Sequence, residues 1–208
     1  EDGVRDVVTV SLNSAQSELV VDWEQPDLGL SGSMSFPYPD TPSLQINTHG
    51  GDDDLIVDNS HGLIALPDGI QFNGGQANDR LVLQGTTQID DATYEVGPHV
   101  DEGTITHTPA DGPSQVITFT GLEPILDAVA AATANVFATN ADNAISYTVG
   151  NTAAYGLVAV DGFETYEFSN KGALFIHGLG GSDTINLNNP NTPTDLTSIT
   201  VDGGDPTG

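Results

Sequence analysis

The 208-residue chain carries 30 acidic side chains against 3 basic ones, a formal net charge of −27, and it has no cysteine. A surface so poor in cations repels nucleic acids and anionic membranes, so neither is an expected partner, and disulfides and thiolate metal sites are excluded. No apolar run approaches the ~18 residues that a membrane-spanning helix requires, so no membrane insertion is expected.

Of the acids, 22 are Asp and 8 are Glu. Aspartate suits turns and hard-cation sites better than helix surfaces, which places most of the charge in loops. From the N-terminal end, "DVVTV" (6–10) and "SELVVDW" (17–23) alternate apolar and other residues with period two and predict strands. Trp23 alternates with Val21 and is expected to be core or half-buried. Tyr38, in the proline-rich "FPYPD" (36–40), is expected at the surface. Further strands are predicted at "GLIALP" (62–67), "QVITFTG" (115–121), "AISYTV" (144–149) and "TYEFS" (165–169). Between them, "EPILDAVAAATANVF" (123–137) puts Pro ahead of an alanine-rich run and predicts a short helix over 124–132, although "ANVFAT" also suits a strand. "VITFTGLEPI" (116–125) echoes "LVAVDGFETY" (157–166), which predicts tight turns at Gly121 and Gly162 and solvent-facing Glu123 and Glu164.

Four segments repeat: "LQINTHGGDDDLIV" from Leu44, "IQFNGGQANDRLVL" from Ile70, "LFIHGLGGSDTINL" from Leu174 and the shorter "ITVDGGDPTG" from Ile199. Each complete copy has an alternating apolar pair, a Gly-Gly turn, an Asp two residues before the next apolar residue, and a second pair. The aligned aspartates are Asp53, Asp79 and Asp183, while Asp52 aligns with Asn78 and Ser182. Leu44 and Ile70 lie 26 residues apart, Leu174 and Ile199 lie 25 apart, and Leu44 and Leu174 lie 130 apart, about five such units. That period predicts an all-β chain, a parallel β-helix of roughly 25–26-residue coils that bury their inward residues by stacking. The alternative is a tandem pair of antiparallel β-sandwich domains. Residues 1–208 are expected to form one elongated repeat module. Its final glycine-rich turn, where another strand should follow, suggests an excerpt of a longer repeat protein.

The stretches "GGDDDLIV" (50–57), "GGQANDRLVL" (74–83) and "GLGGSDTINL" (178–187) resemble the Asp- and Gly-rich calcium-binding repeats of secreted bacterial proteins, the haemolysin-type or RTX class. In that class the glycine-rich turn and its Asp hold Ca²⁺, which implies Asp53, Asp52, Asp79, Asn78 and Asp183 here, with Asp202 and Asp205 from the shorter copy. Class repeats run in direct tandem, whereas these stand 25 or more residues apart, so shared ions would require turns of stacked coils to align. The plainer alternative is that these side chains hydrogen-bond turns and are otherwise solvated. If metal binds, Asp54 is expected to be dispensable. The wider texture, with "FTGLEP" and "ITVDGG", resembles very large repeat-containing bacterial surface proteins. That resemblance implies a secreted or cell-surface protein with a structural or adhesive role, in head-to-tail contact with neighbouring modules or copies.

Enzymatic motifs are missing: there is no HExxH, GxSxG, phosphate loop or dinucleotide fingerprint. The five histidines, His49, His61, His99, His107 and His177, lack ligand spacing. No enzymatic activity is expected. The alternatives are a glycan-binding module using Trp23 and Tyr38, and a β-helix polysaccharide hydrolase using two carboxylates.

Overall fold

Strands form almost wherever apolar residues alternate, and the result is all-β. The computed structural model describes residues 3–205, and among these there is no α-helix, only a 3₁₀ turn at Tyr38–Asp40. The chain opens with an antiparallel meander of β1 (Val7–Leu12), β2 (Glu18–Gln25) and β3 (Leu30–Pro37). Then come β4 (Leu44–Asn47), β5 (Asp54–Asp58), β6 (Ile70–Asn73), β7 (Arg80–Gln84), β8 (Gln88–Val96), β9 (Glu102–Thr108) and β10 (Gln115–Thr120). The second half contains β11 (Ile125–Asp127), β12 (Ala130–Phe137), β13 (Ala144–Val149), β14 (Gly156–Val160), β15 (Tyr166–Phe168), β16 (Lys171–His177), β17 (Thr184–Leu187) and β18 (Ser198–Asp202).

These strands make two mixed sheets. One runs β17-β13-β14-β15-β11-β7-β5-β1-β2-β3, the other β18-β16-β12-β8-β9-β10-β6-β4. From β4 onward the chain passes back and forth between them, and a strand that re-enters a sheet pairs in parallel with an earlier one, except β8 and β13, whose partners all come later. The 26-residue spacing is the register itself: Leu44 lies opposite Ile70 and Asp54 opposite Arg80. Leu174 likewise lies opposite Ile199.

The spacing is not uniform, because each sheet contains an antiparallel detour. β8 is laid two places beyond β10, and β9 returns between them. β13 is laid beyond β15 in the other sheet, with β14 returning between them. Steps around these detours are 40 to 47 residues, as from Asn143 to Asp183 and from Ile70 to Ile117. The 130-residue offset is therefore not five equal units.

Inward positions line up into rows across each sheet. One row joins Val8, Leu55, Leu81, Ile125, Tyr166 and Val158, all buried. Apolar side chains in such a row are removed from water by the strands on either side, at about 25 cal/mol per Å² of apolar area. Through the middle of the core runs a stack of rings: Phe119 to Tyr94 at 6.4 Å, Tyr94 to Tyr166 at 5.8 Å, Tyr166 to Phe168 at 5.7 Å and Phe168 to Tyr147 at 6.3 Å. Gly156 leaves the space that the Phe168 and Tyr147 rings use, since a Cβ there would come within 2.8 Å of both.

Two local expectations are corrected. The helix over 124–132 is absent: β11 and β12 occupy that stretch, and β12 is flanked by parallel β8 and β16. Pairing on both sides outweighs alanine's helix propensity, and Ala131 and Ala134 point inward as small core residues. "GLIALP" is not a strand either. Tyr38 takes the place of a neighbouring strand there, its hydroxyl donating to the Leu63 carbonyl at 3.1 Å and accepting from Ala65 N at 3.0 Å.

Candidate functional site: Gly/Asp turns and a buried ionic cluster

The Gly-Gly turns connect β4 to β5, β6 to β7 and β16 to β17, always from the eight-stranded sheet to the ten-stranded one. The aspartate after each turn sits at or just ahead of the start of a strand, so parallel register sets it beside the residue that leads into the paired strand. Asp53 Oδ1 accepts from Asp6 N at 2.6 Å, and Asp79 Oδ1 accepts from Asp53 N at 3.0 Å. Asp183 does the same for Asn143 N at 2.9 Å. Each carboxylate thus caps the backbone that leads into the parallel-paired strand. The exposed pair Asp52 and Asn78 is linked in the same manner, with Asn78 N donating to Asp52 Oδ1 at 3.1 Å.

Of the seven candidate ligands, four gather at one place: Asp53, Asp52, Asp79 and Asn78. Asp183 lies apart from these, ahead of β17 and beside Asn143. Asp202, at the end of β18, and Asp205, after it, are exposed, and Asp205 N donates to the Leu179 carbonyl. Asp53 and Asp79 are buried, and burial pushes the Asp79 carboxyl up to about 6. Nearby Asp53, Glu123 and Asp52 add to that rise, while the Asp53 N–H opposes it. Two carboxylate oxygens, Asp79 Oδ2 and Asp183 Oδ2, are buried without a hydrogen bond, and they lie against Gly74 and Gly178, where a Cβ would collide with them. Ca²⁺ takes six to eight oxygens. Among the described residues no three or more His, Asp or Glu side chains converge as a metal group. The first use of these oxygens is backbone capping.

Asp54 has a role that the repeat alignment did not assign. Its Oδ2 meets Arg5 Nη2 at 2.5 Å and its Oδ1 meets Arg80 Nε at 2.7 Å. Two of the chain's three cations converge on this one carboxylate, whose pKa falls because the two arginines outweigh its burial. The register that opposes Asp54 to Arg80 is the 26-residue repeat, so this pair was readable once the repeat was seen.

The third cation is in the core. Lys171 Nζ lies 3.0 Å from Asp127 Oδ1, both fully buried. Asp127 Oδ1 also accepts from Val129 N at 3.0 Å, and Oδ2 is held by Tyr166 Oη at 2.8 Å and His107 Nε2 at 3.0 Å. Lys171 Nζ donates further to the Val129 carbonyl. Burial opposes the Asp127 charge, but Lys171 and His107 outweigh it and hold the carboxyl far below its ordinary range; burial lowers Lys171 against the pull of Asp127. The sequence signal was Asp127 itself, at the inward parity between Ile125 and Val129.

The remaining candidates are accounted for by packing. Glu164 is buried rather than solvent-facing, and burial raises its pKa to about 8, with Glu123 and Asp101 contributing. Glu123 is exposed and Gly121 is in the left-handed region at φ 60°. Trp23 is half-buried and lies over Gly32, its strand partner. Tyr38 is half-buried with its hydroxyl engaged, rather than presented at the surface. His177 stacks on Phe137 at 4.2 Å.

No protein-family model matches the chain, and neither the curated proteins nor the solved structures yield a significant match.

Proposed function

We propose that the chain is a non-enzymatic structural module: a two-sheet β-solenoid of a secreted or cell-surface protein, extended at its ends by neighbouring modules or copies of itself. One observation carries this reading. Leu174 and Ile176 on β16 are buried at 0% and 1% exposure, because β18 lies over them. Their register partners on β18, Ile199 and Val201, stand 39% exposed each, with Leu187 at 49%. Coils in a solenoid are covered by the next coil, so an uncovered apolar row at the terminal strand is the surface a further coil would occupy. At the opposite end, Leu30 and Met34 on edge strand β3 are similarly exposed.

The test is sedimentation velocity at rising protein and salt concentration. The charge of −27 opposes contact between copies, so association should strengthen with ionic strength. Ile199→Lys with Val201→Lys should abolish it without loss of fold. The reading fails if the chain stays monomeric at all concentrations and fusing a further copy of 174–202 after β18 adds no stability.

A second reading, calcium stabilisation of the turns, is favoured by the buried oxygens of Asp79 and Asp183. Backbone carbonyls would have to supply most of the ligands. It predicts a rise in melting temperature with millimolar Ca²⁺ that Mg²⁺ or NaCl at equal ionic strength does not reproduce.

A further inference from the structure

We propose that Lys171 and Asp127 become joined by an intramolecular isopeptide bond, Nζ to Cγ, which ties the start of β16 to the end of β11. Nζ and Oδ1 are 3.0 Å apart, and both residues have 0% exposure, so neither group is hydrated. An amine and a carboxyl fixed at contact distance react as an intramolecular pair, with effective molarities of about 10⁵ to 10⁸ M. The ion pair that precedes reaction is itself costly, since two charges are held out of water. Condensation replaces it with a neutral amide.

The two carboxyl oxygens have different surroundings, and these assign the steps. Lys171 Nζ passes a proton to Oδ1, the oxygen it touches, leaving a free amine whose lone pair attacks Cγ. Oδ2, held by Tyr166 Oη and His107 Nε2, carries the developing negative charge and becomes the amide oxygen. Oδ1, held by the Val129 N–H at 3.0 Å, is the oxygen that leaves. The attacking nitrogen gives Oδ1 a second proton, and the Cγ–Oδ1 bond breaks to release water. The balance is one ammonium and one carboxylate in, one amide and one water out, with no oxidant or cofactor. His107 Nδ1 is buried without a partner, so Nε2 is the ring nitrogen that serves Asp127. Burial favours the free amine at Lys171, as its lowered pKa indicates.

The test is intact mass spectrometry of the 208-residue chain, followed by trypsin digestion after denaturation. Lys171 is the sole lysine, and the arginines are Arg5 and Arg80. The bond predicts a mass one water, about 18 Da, below that of the sequence. It also predicts residues 81–208 as one uncut species, because trypsin does not cleave after an acylated lysine. A mass equal to that of the sequence overturns the proposal. So does a water loss accompanied by cleavage after Lys171, which would place the dehydration elsewhere. Asp127→Ala should restore cleavage, and His107→Gln and Tyr166→Phe should raise the unlinked fraction in freshly made protein at least several-fold.

Discussion

Replacing Asp79 with Asn separates the two roles open to the turn aspartates. An amide keeps the oxygen that accepts the Asp53 N–H at 3.0 Å, and it removes the charge that burial and neighbouring carboxylates disfavour. Its NH₂ would stand where Oδ2 now lacks a hydrogen bond, on the side of Gly74 that the Gly121 carbonyl also flanks. In the folded chain the Asp79 pKa is about 6, against an ordinary 3.8. The folded state therefore holds this proton more tightly than the unfolded state, and stability falls as pH rises from about 4 to 6. At about 1.4 kcal/mol per unit the full shift corresponds to about 3 kcal/mol. Solvent screening at the rim of the sheets, and the charge-assisted bond exchanged for a neutral one, reduce this to ~1–2 kcal/mol. For a chain of this size that is a rise of roughly 2–8 °C in melting temperature. Thermal melts of both proteins from pH 3 to 8, at constant ionic strength with calcium chelated, should coincide near pH 3 and diverge until about pH 7. Glu164 titrates over an overlapping range in both proteins and cancels from the difference. If Asp79→Asn melts below the parent at pH 7 under these conditions, the capping account is wrong. If it melts higher but removes a calcium-specific gain, the carboxylate is also a ligand.

Asp54→Ala releases both arginines and should cost ~1–2 kcal/mol, less in molar salt because Arg5 and Arg80 are half exposed; denaturant titration at two ionic strengths measures it. Glu164→Gln should stabilise above pH 8, because the wild-type carboxyl resists ionisation up to about 8 and stability is lost as pH climbs to that value; urea midpoints at pH 6 and 9 test the sign. Phe168→Ala opens the ring stack between Tyr166 and Tyr147 and should cost about 3–5 kcal/mol in the same assay.

The repeat was legible because identical turn chemistry demands identical register: Leu44 and Ile70, matched in the sequence, are Cα partners, as are Leu174 and Ile199. The detours were not legible. β8, β9 and β10 have the same period-two pattern as any other strand, and nothing local states whether the next strand will run parallel or antiparallel. The alanine-rich stretch misled for a related reason, since propensity is local and the partners β8 and β16 of β12 are distant in sequence. Among the acids, spacing identified Asp53 and Asp79 as equivalent but could not say that the second would cap the first. His107, Asp127 and Lys171 come from three unrelated strands, so only the folded chain brings them to one point.

The two detours bear on how the molecule comes apart. A plain stack of coils loses or gains one unit at a time, each answerable only to its neighbour. Here β8 lies two positions ahead of β10, and β13 two ahead of β15, with the gap closed afterwards by returning strands. No partial structure that stops within a detour has a continuous sheet, so that stretch must form or dissolve together. The ends can fray strand by strand while residues 88 to 168 open as one cooperative block. Hydrogen exchange should resolve this as a shared opening free energy across β8 to β15, flanked by graded protection toward β3 and β18.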